Sequence, residues 1–253
     1  MRQLNAFIKK EFTEQLRSRR LYILGAVFLF FGIMSPAAAK LMPKIIELVA
    51  EQDQSFKIEA VKEVSALDSF DQFFKNVSTS LIVFVIMQAG IFTREYSSGT
   101  LLLSLTRGME RRKVIAAKAF TLTAVWTACY LVCFGTTYAY TAYFWDMSVV
   151  NDLWTAVLLW WIYGLWYIAM IVFFSTFLNS ATAVIVCTGA IFLAGDLLAM
   201  IPKAERFIPT YLSGSSGLLR ARDFDYTPAL VITLVSIVLL LSASVPMFNK
   251  KQL

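Results

Sequence analysis

Glu95-Tyr-Ser-Ser-Gly99-Thr100-Leu-Leu-Leu-Ser-Leu-Thr-Arg107-Gly108-Met-Glu110-Arg111-Arg112-Lys113 is a charged, glycine-punctuated stretch set between two apolar ones. On one side Val77 to Phe92 carries no charge, and on the other Val114 to Phe144 carries Lys118 alone. Lipid can hold flanks of that composition, whereas the insert needs water or another protein. The stretch therefore places the chain in a membrane and marks a segment at its surface built to be gripped.

The rest of the chain agrees. Hydrophobic residues make up 58% and charged residues 16%, too apolar a balance for a soluble domain of 253 residues. The apolar runs are Leu21 to Ala39, Val77 to Phe92, Val114 to Phe144, Leu153 to Leu178, Ala181 to Ile201 and Ala229 to Met247. Most are near the ~20 residues that cross a bilayer as helix. The first exceeds the about 7–15-residue apolar region of a cleavable signal, and Ala37-Ala38-Ala39 is a weak cleavage match, so it is read as a span. The expected fold is an all-α integral membrane protein with spans at 21–41, 76–93, 113–145, 153–178, 181–201 and 228–247. An interfacial helix is expected over 1–20, an extracellular amphipathic segment over 42–75, and a re-entrant or loop segment over 202–227.

Basic residues orient these spans. With the N-terminus inside, the inner segments hold 14 of the 23 Lys and Arg residues and only Glu11, Glu14, Glu95 and Glu110 as acids, so the sides carry +10 and −4. The positive-inside rule then puts both termini in the cytoplasm of a bacterial-type plasma membrane. The net charge of +6 reports this topology and gives no reason to expect nucleic acid as a partner.

Some chemistry is excluded. There is no histidine, so a Ser-His or Cys-His hydrolase lacks its base, and Cys129 with Cys133 lacks the partner that would complete a usual metal site. Cys129, Cys133 and Cys187 fall inside spans and read as small hydrophobes. No catalytic or metal-binding residue is expected.

Leu4, Phe7, Ile8, Phe12 and Leu16 share a broad apolar face of the leader, interrupted by Glu11, with Lys9, Lys10 and Arg17 toward water and headgroups. Pro43 marks the exit of the first span, and apolar spacings of three and four over 44–75 predict one or two amphipathic helices. The third run is longer than a bilayer needs and must tilt, break or project. Trp154, Trp160, Trp161 and Trp166 crowd the fourth run and read as helix packing, with an aromatic pathway as the alternative. Asp196 is a functional candidate by virtue of its depth, though its closeness to Pro202 places it near the outer boundary. Tyr211-Leu-Ser-Gly-Ser-Ser-Gly217 resembles a nucleotide-binding signature superficially, but it falls outside, and the chain has no Gly-x4-Gly-Lys-Ser/Thr phosphate loop.

Six spans, a basic amphipathic leader, and Glu95-x3-Gly99-Thr100-Leu101 followed by Arg111-x-Lys113-Val114 and Lys118 resemble the permease subunit of a type 2 ATP-binding-cassette (ABC) exporter. Gly108 stands where that family usually has Pro, and Glu110 where it has Ser, which affects the turn after the insert. The resemblance implies a cytoplasmic coupling helix over 94–112, starting near Ser97 or Ser98, with Leu101, Leu102 and Leu105 as apolar knobs. Glu95, Gly99, Thr100, Leu101 and Leu102 would form the grip on a soluble ATPase. Arg107, Arg111 and Lys113 would pair with its carboxylates or with lipid phosphates, and Asn179 and Ser180 would make a second contact.

It also implies two permeases, identical or paralogous, around a central path, with two ATPase subunits beneath them. Cofactors would be ATP and Mg in those partners and none in this chain. The spans show no line of charges for a small ion, so an amphipathic or lipophilic export substrate is expected: a toxin-like or antimicrobial peptide, or a drug. Phe84, Met87, Gln88 and Phe192 are the candidates for the path. The alternatives are an ion-coupled secondary transporter, which needs an intramembrane charge system, and a membrane sensor or assembly protein, which would tolerate disruption of the insert.

Overall fold

The computed structural model describes residues 2–52, 64–106, 108–201 and 204–251, and among them every regular element is a helix. Helix α1, Arg2–Arg17, leads through a left-handed residue at Arg19 into α2, Arg20–Gln52. Then follow α3 (Ala66–Gln88), the short α4 (Thr93–Ser98) and α5 (Thr100–Thr106), and α6 (Arg111–Phe144). The chain closes with α7 (Leu153–Phe177), α8 (Ala181–Ala199) and α9 (Thr227–Lys250). Six of these are long and apolar enough to cross a membrane, so the chain is a multi-pass, all-α membrane protein. The end that carries α1, α4, α5, the 178–180 turn and the end of α9 is called proximal here, and the opposite end distal.

The first candidate span, Arg20–Lys44, closes just past Pro43, but helix α2 does not end there and runs on through both Pro36 and Pro43 to Gln52. Such prolines persist in membrane helices when a neighbour satisfies the freed backbone carbonyl. Pro36 cannot donate to the carbonyl of Gly32, four residues back, and Thr137 Oγ1 of α6 donates to that oxygen instead at 3.0 Å. Gly32 permits this approach, since a Cβ there would lie 2.9 Å from the Cys133 carbonyl oxygen. Helix α3 begins at Ala66, where the Ser65 amide donates to Asp68 Oδ2 at 2.9 Å, so 66–75 belongs to the span helix. The remainder of the expected amphipathic segment, 53–63, lies outside the described residues. Helix α6 is continuous over 34 residues, about 51 Å at 1.5 Å per residue, so it does not break and meets the ~30 Å hydrocarbon layer by tilting or projecting.

Helix α7 is apolar on every side, and much of it is buried among α3, α6 and α9. Its tryptophans mainly pack. Trp126 of α6 lies against Gly164, where any Cβ would overlap the indole, and its Nε1 donates to the Trp161 carbonyl at 3.2 Å. Tyr130 Oη donates to Val157 O at 2.8 Å and Trp161 Nε1 to Thr127 Oγ1 at 3.0 Å. At the distal end the 3-10 segment Pro209–Arg220 folds back onto α7. Trp160 Nε1 donates to Ser213 O at 3.1 Å and Ser215 Oγ to Ala156 O at 3.1 Å. Arg220 closes that end by pairing with Asp71 of α3. Helices α8 and α9 are little buried within the chain and present apolar faces outward, among them Val186, Leu193, Val235 and Val238.

Candidate functional site

Gly99 divides the insert. At φ +67° it takes the left-handed conformation that ends α4, and α5 begins one residue later, so the single helix expected from Ser97 or Ser98 is two short helices with a corner. The corner sends the two halves to different tasks. Glu95 on α4 points inward and is 3% exposed, whereas Leu102 and Leu103 on α5 point outward at 47% and 59%.

Glu95 belongs to an ion cluster made by three elements. Lys118, in the second turn of α6, is fully buried, a costly position for an ammonium without partners. Its Nζ lies 2.8 Å from Glu95 Oε2 and 3.1 Å from both carboxylate oxygens of Glu11, and it also donates to the Ile91 carbonyl at 3.0 Å. Lys10 bonds Glu95 from the rim and lies 3.5 Å from Glu11 and 3.7 Å from Glu14. Two ammonium groups thus balance the two buried carboxylates, and the rings of Phe92 and Phe7 lie 5.2 and 5.8 Å from Lys118 Nζ. Deeper, Gln15 and Gln88 exchange side-chain hydrogen bonds at 3.0 and 3.3 Å. The carboxylates of Glu11, Glu14 and Glu95 are close enough to hold a cation, a role that Lys10 and Lys118 already fill.

Electrostatics follow from this geometry. Burial pushes the Glu11 carboxyl above its ordinary range, against the attraction of Lys118. Burial also works against the Lys10 ammonium, but its hydrogen bond to Glu95 and the surrounding carboxylates hold its pKa above the usual lysine value.

The cluster shows what sequence reasoning missed. Glu11 breaks the apolar face of α1 because Phe7, Glu11 and Gln15, one turn apart, are the residues that α1 buries among its described side chains, and Lys10 turns toward Glu95. The signal was a lone acid in an apolar stripe and a lone lysine in an apolar span, two opposite charges placed where each needs a partner.

Beside the cluster a groove of about 370 Å³ opens at the proximal surface, lined by Tyr96, Gly99, Leu101, Leu102, Asn179 and Lys251 among others. It brings the insert and the 178–180 turn, distant in sequence, to one place. Tyr96 Oη donates to Ser175 O at 2.8 Å, and Lys251 Nζ donates to Leu178 O at 3.1 Å while lying 3.7 Å from the Tyr96 ring centre. Burial lowers the Lys251 pKa to about 8. Leu101 is buried and Leu105 half-buried, so Leu102 and Leu103 are the outward knobs, with Thr100 and Ser180 also exposed. Arg111 ties α6 to the end of α9, bonding the Phe248 carbonyl and, at 3.0 Å, that of Lys251. Lys113 pairs with Glu110 at 2.8 Å, and Arg107 lies outside the described residues.

The path candidates separate. Phe192 lines a cavity of about 290 Å³ between α3, α7 and α8, beneath the segment 209–220. Phe84 is fully buried edge-on against Trp126, 5.4 Å between ring centres, Gln88 is held by Gln15, and Met87 packs against the core. The face of α3 that reaches the cavity carries Leu81, Ile82, Val85 and Ile86 instead.

No curated protein matches the chain. The family model described as ABC-2 family transporter protein matches residues 6–205, which include the whole ion cluster. The chain therefore belongs to the ABC-2 transporter family, as one of the non-catalytic membrane permeases that work with a separate ABC ATPase subunit.

Proposed function

We propose that this permease exports an amphipathic or lipophilic substrate from the cell, driven by two ATPase subunits docked under a pair of permeases. In this reading the proximal end is cytoplasmic, in keeping with its concentration of basic residues. Helix α5 seats in the ATPase with Leu102 and Leu103 outward, and the 178–180 turn adds a smaller contact. The observation that carries the reading is the position of Glu95. Glu95 is buried between α1 and α6 while Leu102 and Leu103, seven and eight residues on, are exposed, so a push on α5 is delivered to a span through a charge-paired joint.

The test is co-purification with the ATPase encoded beside the permease, and ATP hydrolysis of the complex, with Gly99→Arg plus Leu102→Glu as the variant. Neither change touches the core: a Cβ at Gly99 meets open space and Leu102 is exposed, although Arg strains the left-handed turn. The wild-type complex hydrolyses ATP, and the double variant loses association or responds differently to substrate. If no ATPase binds the wild-type chain, the exporter reading fails and the ion-coupled transporter and the membrane sensor or assembly protein take its place.

A further inference from the structure

The structure assigns to the cavity between α3, α7 and α8 a binding site for the organic ammonium group of a cationic amphiphile, with Asp196 as its counter-charge. This deepens the exporter reading and rests on it for the direction of transport. Three helical stripes converge there. Thr188, Phe192 and Asp196 follow one another at four-residue intervals along α8, Tyr163 and Tyr167 do so on α7, and Leu81 and Val85 on α3 close the apolar wall. The volume of about 290 Å³ is at the low end of the ~300–1,000 Å³ of ligand pockets, enough for a headgroup and part of an apolar body.

The polar groups select the charge. At the proximal end each buried carboxylate meets an ammonium, but no lysine or arginine among the described residues pairs with Asp196. It lies three residues before the end of α8, exposed at the distal end of the cavity, and is the one charged group among the lining residues. Thr188 is fully buried, and its hydroxyl has no hydrogen-bond partner among the described residues, so it has an acceptor lone pair to offer. The Tyr163 and Tyr167 hydroxyls lie 3.2 Å apart, and these rings with that of Phe192 provide the aromatic faces that attract cations. Anions find no basic side chain among the lining residues, and a neutral amphiphile gains no charge pairing from Asp196.

Binding of dodecylammonium, dodecyl sulfate and dodecyl maltoside to the full chain in phosphatidylcholine nanodiscs, followed by intrinsic fluorescence, tests the assignment without any ATPase. Dodecylammonium is expected to bind saturably. Asp196→Asn, which keeps the shape of the side chain, weakens it about tenfold or more while leaving the other two within twofold. Gly189→Phe, at a lining position where a Cβ meets open space, blocks dodecylammonium as well. Equal binding of the three amphiphiles, or an Asp196→Asn affinity within twofold of wild type, overturns the proposal. A lysine-bearing amphipathic peptide that competes with dodecylammonium makes a peptide the source of the ammonium, and one that does not compete makes it a small cation; either upholds the site. Loss of binding with ATPase coupling intact removes this site alone, and binding without any ATPase partner removes the exporter reading alone.

Discussion

Replacing Lys118 with Met keeps the length of the side chain and removes its charge, which leaves the Glu11 carboxylate, Glu95 Oε2 and the Ile91 carbonyl facing one another around an apolar tip. Lys10 remains, but it reaches the cluster from the rim and neutralises only one of the two buried carboxylates. Removing one partner of a buried pair costs about 3–5 kcal/mol, because the charge left behind has lost its water without compensation. At about 2–4 °C per kcal/mol for a chain of this size, the expected fall in melting temperature in detergent is on the order of 6–20 °C. Glu11→Gln added to Lys118→Met restores the balance of charge between Lys10 and Glu95, so the double variant should melt above the single one. That non-additivity distinguishes a charge cluster from simple packing. Fluorescence-monitored thermal unfolding of the four proteins is the assay. A Lys118→Met protein within about 2 °C of wild type, or a double variant whose loss is the sum of the singles, would refute the reasoning.

The remaining expectations follow from other contacts. Lys251 titrates near 8 in the fold, so it is charged below that pH and neutral above it. A partner held through this ammonium should bind more weakly as pH rises from 7 to 9, and Lys251→Arg, charged throughout, should remove the dependence in a pull-down with the ATPase. An unfolded lysine keeps its proton to about 10.4, so between about 8 and that value the unfolded chain binds more protons and the fold gains stability with rising pH, visible as a melting temperature that Lys251→Met does not share. Gly164→Ala forces its Cβ into the Trp126 indole and should cost about 1–3 kcal/mol, with Trp126→Phe in the same chain restoring part of the loss in the same melt. Arg220→Ala breaks a part-exposed pair with Asp71 at the distal end and should lower stability by no more than about 1 kcal/mol.

The existence, number and order of the six spans were legible because they depend on local composition: a run of about 20 apolar residues has to become a helix in a bilayer whatever surrounds it. Gly99 was legible as punctuation, and Asp196 and Lys118 stood out as charges in apolar runs. Which side each helix turns inward was not legible. Lipid is as apolar as a protein interior, so a span such as α7, apolar all round, carries no stripe that declares its buried face. For that reason Phe84 fell on the packed face of α3 and Ile82 on the cavity face, though both are large hydrophobes two residues apart. The amphipathic leader misled for a related reason: its buried face is centred on Glu11, and a carboxylate belongs inside only once α6 has brought Lys118 to meet it. By itself the sequence determined a six-span permease with a charged insert. Only the tertiary structure decided that the insert folds as an outward α5 and an inward Glu95, because pairing Glu95 with Lys10, 85 residues away, and with Lys118 is a property of packing and not of any local pattern.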